Sequence, residues 1–147
     1  MIYLDTSALV KRYVAEAGSA IIQELLRREE VAGTATIAYA EVYSGFTRRH
    51  REGYVSKRQY ALACREFERE WPAYVHVELR SEVLTLARDL IQRHTLRGFD
   101  AIHLASALTL HAGLREYVTL VASDNRLLRA AAVERLPILN VEGGSES

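Results

Sequence analysis

Apolar residues fall into two rhythms that alternate along this chain: short unbroken runs, and longer stretches where they return every third or fourth position. The first run, Ile2 to Leu4, ends at Asp5. Thr6 and Ser7 then offer N-cap oxygens to the helix-like segment ALVKRYVAEAG, closed by Gly18. Strand, turn and helix are the expected order. A second helix is predicted from Ala20 to Glu30, with Ile21, Ile22, Leu25 and Leu26 as its apolar face. Arg27, Arg28, Glu29 and Glu30 lie at its solvated end, and Gly33 punctuates the exit. The segment TATIAYAEVYSGFTRRHR begins with alternating small and apolar residues and then takes up helical spacing, which predicts a very short strand before a helix carrying Glu41.

Ser56 and Gln59 form a capping box for a helix over Tyr60 to Trp71, and Pro72 stops it; VHVEL then reads as a short extended piece. Val83, Leu86, Leu90 and His94 again repeat at helical spacing, and Gly98 is expected to close that segment. Asp100 falls in the first turn of the next helix, FDAIHLASALTLHAG. The run YVTLVA is apolar on both parities, as a strand buried on both faces requires; SDN caps the helix RLLRAAA, and ILNV after Pro137 gives a last strand. Short apolar strands alternating with amphipathic helices predict an α/β fold, a mostly parallel twisted sheet covered on both sides. One domain over residues 1–142 is expected, with a flexible polar tail at 143–147.

Composition narrows the function classes. At 147 residues with 49% hydrophobic and 26% charged residues, the chain has the make-up of an ordinary folded domain. Its 19 basic and 19 acidic residues cancel, so no global positive field draws it to nucleic acid, and any such contact must be local. The opening IYL lacks signal-peptide order, and no apolar stretch approaches the ~20 residues of a membrane span, so the cytoplasm is the expected compartment. Cys64 is the only cysteine, which rules out an internal disulfide or a thiolate cluster within one chain. Its spacing with Tyr60, Phe67 and Trp71 marks a packed residue.

The chemistry lies in four acids. In open α/β sheets the ligand site sits beyond the carboxyl ends of the strands, and Asp5 and Asp124 each follow an apolar strand and precede a helix. Asp100 begins a helix and Glu41 follows a short strand, so all four can converge without unusual backbone. Crowded carboxylates raise one another's pKa unless a cation neutralises them, and oxygen ligands suit hard ions such as Mg²⁺ or Mn²⁺. Each acid also has a structural role available: Asp124 as an N-cap, Asp100 on a helix dipole, Glu41 paired with an arginine of its own helix. Asp5 resists that reading, because a carboxylate at the end of a buried strand bears a desolvation cost unless something binds it.

Four blocks make the pattern specific: IYLDTSALVKRY, AEVYSGF around Glu41, RGFDAIHLASAL around Asp100, and TLVASDNRLL around Asp124. Together, in this order, the chain resembles PIN-domain nucleases, and within them the VapC-type toxins of toxin–antitoxin modules. The resemblance implies a PIN-like three-layer α/β/α fold and an acidic Mg²⁺ pocket, with Mn²⁺ as the alternative ion. The implied activity is endonucleolytic cleavage of RNA. It places Asp5, Glu41, Asp100 and Asp124 on the four acids of the family motif as catalytic and metal-binding residues, the fourth position being the most variable. Thr6 or Ser7 answers to the hydroxyl that supports the first acid. It also implies an antitoxin that lays an amphipathic segment into an apolar groove and brings a basic side chain near the acids, and it implies homodimerisation.

Further residues stand beside these. His103 shares a helix face with Asp100 and is either an RNA contact or proton donor, or a packed, hydrogen-bonded histidine. Arg48, Arg49, Arg51, Lys57 and Arg58 form a local basic cluster that either grips phosphates or caps a helix end; Arg97 beside Asp100 is a second such candidate. Two other functions compete with the nuclease. One is a non-catalytic protein-binding module of the same fold. The other is a phosphatase of the haloacid dehalogenase type, which needs a second aspartate where this chain has Ser7.

Overall fold

A computed structural model describes residues 1–28, 31–114 and 117–143. The expected residues Glu29 and Glu30 of the second helix, and 144–147 of the tail, lie outside them. Five strands form one sheet in the order β3-β2-β1-β4-β5: β1 (Ile2–Leu4), β2 (Ala32–Ala35), β3 (Val75–Val77), β4 (Thr119–Ala122) and β5 (Ile138–Asn140). Every neighbouring pair is parallel. The helices are α1 (Thr6–Tyr13), α2 (Ser19–Arg27), α3 (Ala38–Arg51), α4 (Lys57–Glu70), α5 (Ser81–His94), α6 (Gly98–Gly113) and α7 (Asn125–Val133). None among the described residues is long and apolar enough to cross a membrane.

The pleat divides the strand residues between two cores. Tyr3, Ala35, Leu120 and Ala122 pack with α5, α6 and α7 on one face. Ile2, Leu4, Ala32 and Val121 pack with α1, α3 and α4 on the other. The resulting three layers follow from strands apolar on both parities. From β1 the chain winds outward through β2 to β3 with its helices on one face, then crosses to β4 and β5 with its helices on the other. The winding therefore reverses between β1 and β4, and a crevice opens beyond their carboxyl ends.

Several local expectations are corrected. Asp5, rather than Thr6 or Ser7, caps α1: its side chain accepts from the Ala8 N–H at 2.9 Å. The second helix ends at Arg27. Gly33 lies inside β2 rather than ending a helix, and the reason is packing: a Cβ there would stand 2.8 Å from Cδ2 of Leu110 on α6. Thr95, in the left-handed conformation at φ 56°, ends α5, while Gly98 opens α6 instead of closing its predecessor. The capping box of Ser56 and Gln59 forms as expected, and Pro72 sits in a 3-10 turn over Trp71–Ala73 that ends α4.

Candidate active site

Asp5 directly follows β1, and its position is fixed twice. Its backbone N–H donates to the Val121 carbonyl of β4 at 3.3 Å, and its Oδ1 accepts from the Ala8 N–H and from the Ser7 hydroxyl at 2.8 Å. The residue is 5% exposed. Among the described residues Oδ2 has no protein donor, and since no buried polar atom is left unpartnered there, Oδ2 reaches the crevice. Burial pushes the carboxyl above its ordinary pKa and the charge of Asp100 adds to the rise; His103, the Ala8 amide and Ser7 oppose it only in part.

Glu41 sits in the first turn of α3, which approaches α1 closely at Gly45: a Cβ at that glycine would lie 3.3 Å from Val10. That approach sets Glu41 against α1. Its Oε1 accepts from the Thr6 hydroxyl at 2.6 Å and meets His103 Nε2 at 2.8 Å. Burial raises its pKa, but the bonds from His103 and Thr6 pull harder and leave it below the ordinary value. These contacts take the place of the structural alternative, a pairing of Glu41 with an arginine of its own helix, among the described residues.

His103 is 2% exposed and both ring nitrogens are engaged, Nδ1 with the Tyr3 hydroxyl at 2.7 Å and Nε2 with Glu41 and Thr6. A buried ring so held is a packed, hydrogen-bonded histidine set against Glu41. Tyr3 completes the relay, and the sequence reading missed it. The available signal was a phenol in a strand buried on both faces, which requires a hydrogen-bond partner.

Asp100, in the first turn of α6, is half-buried and has no hydrogen bond among the described residues. Burial raises its pKa first, the charges of Asp124 and Glu41 raise it further, and His103 and Arg97 offset part of the rise. Asp124 caps α7 through Oδ1, accepting from the Arg126 and Leu127 amides at 2.8 and 3.0 Å, while staying exposed.

All four acids, with Thr6, Ser7, Arg48, Arg49, Phe99 and His103, line one open crevice of about 560 Å³. Among the described residues, no three His, Cys, Asp or Glu side chains stand close enough to hold one metal ion as they are. The acids share one crevice without forming a closed cage. The donor chemistry fits a hard divalent cation: carboxylate oxygens, with Asp5 and Asp100 both raised, chiefly by burial and further by neighbouring acids.

Of the basic cluster, Arg48 and Arg49 line the crevice, and Arg51, Lys57 and Arg58 do not. Arg49 is bound to Glu16 at 2.8 Å and to the Gly45 carbonyl at 3.1 Å. Arg48 is exposed and has no ion-pair or hydrogen-bond partner among the described residues. Arg97 is the N-cap residue of α6 and acts on Asp100 through its charge.

A parallel sheet with carboxylates gathered at its switch point defines an acid-lined α/β site of the kind that engages cations and phosphates. The sequence matches the PIN domain over residues 2–133, and the chain belongs to that family. Within it, the chain groups with proteins named as VapC ribonucleases. It is 36% identical over 110 residues to Ribonuclease VapC45 of Mycobacterium tuberculosis, covering 75% of this chain and 76% of that one. Ribonuclease VapC47 of the same species is 32% identical over 132 residues, covering 87% and 88%. In three dimensions the chain is similar to VapBC2 from Rickettsia felis bound to a DNA fragment from its promoter, with a TM-score of 0.61 at 15% identity over 95% of this chain and 98% of that one.

Proposed function

We propose that this chain is a divalent-metal-dependent endoribonuclease, the toxin of a toxin–antitoxin pair acting in the cytoplasm, with Asp5, Glu41, Asp100 and Asp124 as its catalytic acids. The supporting observation is the strain on the crevice acids: buried Asp5 and half-buried Asp100 are both destabilised as anions, chiefly by burial, and among the described residues neither hydrogen-bonds a cationic side chain. A buried carboxylate kept unpaired costs stability, and function is the reason to retain it.

Asp5 Oδ2 and the Asp100 carboxylate are the oxygens free to hold Mg²⁺ or Mn²⁺. Asp124 and Glu41 line the same crevice. When bound, such an ion supplies charge neutralisation at a phosphoryl oxygen and a water of lowered pKa. The chain's own residues supply orientation. Ser7 and the Ala8 amide fix the Asp5 rotamer, and Tyr3, His103 and Thr6 fix Glu41. No protein nucleophile is required, and Ser7, spent on Asp5, cannot serve as the second acid of a dehalogenase-type phosphatase.

Several structural neighbours are toxin–antitoxin complexes, the Klebsiella pneumoniae complex among them. An antitoxin and a second copy of this chain are accordingly proposed as its partners. The reading is tested by incubating the purified protein with total RNA in Mg²⁺, in EDTA, and as Asp5→Asn. Cleavage is expected in Mg²⁺ alone; undiminished cleavage in EDTA and by the variant removes the metal mechanism.

A further inference from the structure

Four carboxylates repel the substrate this site is proposed to cut, and a chain of zero net charge offers no general field to compensate. Affinity for RNA beyond the bound ion's contact with phosphate must therefore come from a few local contacts, for which stacking serves as well as charge. Phe99 is the one large apolar side chain on the crevice wall besides buried Val10. It directly precedes Asp100 in the first turn of α6 and is 59% exposed.

An exposed apolar residue by itself is ordinary. The placement of this one is not. Phe99 belongs to neither core cluster, and among the described residues it pairs with no other aromatic ring. The ring stands on a wall made mostly of acids, hydroxyls and arginines, next in sequence to Asp100, and Arg48, which has no partner among the described residues, lines the same crevice.

We propose that Phe99 is the floor of a nucleobase subsite: an unpaired base next to the scissile phosphate stacks on its ring, and Arg48 takes a neighbouring phosphate. This rests on the endoribonuclease reading and adds a base-stacking contact to it. A base must leave its helix to lie on Phe99, so the site selects single-stranded RNA over duplex. Stacking is tolerant of base identity, because every base has a π face, and its strength is independent of the crevice's negative charge. Arg49, engaged by Glu16, leaves the phosphate contact to Arg48.

The test uses Phe99→Ala, Phe99→Trp and Arg48→Ala on a single-stranded RNA spanning a cut first mapped in total RNA. The same RNA is annealed to its complement, and also made with an abasic ribose on either side of the cut. Phe99→Ala is expected to raise KM at least about fivefold with kcat within about twofold, and Phe99→Trp to keep the parent KM. An abasic ribose at one flanking position should raise KM in the parent and leave Phe99→Ala unaffected, while the duplex is cut poorly by all. Arg48→Ala should lower the salt dependence of binding by about one counterion.

Parent-like kinetics for Phe99→Ala, or abasic and alanine effects that multiply, overturn the subsite. Loss of self-association or antitoxin binding with KM unchanged assigns the ring to a protein contact and overturns it as well. A parent protein that cuts no RNA overturns the endoribonuclease reading itself; a parent that cuts, with a silent Phe99→Ala, overturns only the proposal.

Discussion

Two groups of charges lie side by side along α1 and α3, and they are built on opposite terms. In the first, Lys11 is 4% exposed yet meets Glu16 at 2.9 Å and Glu142 at 3.1 Å, while Arg49 meets Glu16 at 2.8 Å. Two cations face two anions. Burial pushes Glu16 up, but Arg49 and Lys11 pull its pKa below the ordinary value. In the second group, the crevice, Asp5 and Asp100 are raised, each in the company of further acids. A charge-matched cluster thus holds α1, α3 and residue 142 together, while the neighbouring crevice, built at the starts of α1, α3, α6 and α7, gathers a charge-mismatched one that is left wanting a cation. The difference separates a structural use of buried charge from a functional one, and the pKa directions carry it more clearly than residue type does.

The largest effect should come from breaking the matched cluster. Glu16→Gln leaves buried Lys11 with Glu142 alone and releases Arg49, and is expected to cost about 3 kcal/mol in urea unfolding, the lower part of the range for a broken buried pair because the acids reach solvent. Asp5→Asn, which keeps an N-cap oxygen while removing a buried charge, should move the other way and stabilise the protein in EDTA. Equal losses in both variants would erase the distinction between the two groups.

A smaller effect is expected inside the crevice. Tyr3→Phe removes the hydroxyl that holds His103 Nδ1 and so loosens Glu41, with an expected fall in RNA cleavage of about tenfold, in the range typical of residues that support a ligand. The pH profile of binding should keep its shape if Tyr3 only positions. Activity equal to the parent would show that the relay does not matter.

The smallest effect is a pH dependence of opposite sign in the two groups. Asp5 and Asp100 have folded pKa values above their unfolded ones, so in EDTA each costs stability that sets in above the unfolded value and grows as pH rises through the folded one. Glu16 and Glu142 have lowered values, so their contribution is present above the unfolded value and is lost as pH falls through the folded one. The Tm advantage of Asp5→Asn over the parent in EDTA should therefore be larger at neutral pH than near pH 4. A constant difference across that range would mean that Asp5 is not frustrated in the fold.

The order of strands and helices was legible in the chain because each element is written in residues a few positions apart: the parity of Ile2 to Leu4, the capping box at Ser56, the acid that opens α7. The four acids were legible for the same reason, each standing at a strand end or a helix start, and the fold brings all of them to one crevice. What the chain did not disclose are the partners. Tyr3 finds His103 across 100 positions, His103 finds Glu41 across 62, and Thr6 finds Glu41 across 35. Nor did local pattern separate Arg49, tied to Glu16, from Arg48, without a partner among the described residues, or foresee that Gly33 packs closely against Leu110 of a distant helix. Periodicity and capping are short-range properties, fixed by hydrogen bonds and burial within a turn or a pleat. Which charges are matched and which are stranded depends on how the two faces of the sheet close, and only the packed tertiary structure decides that.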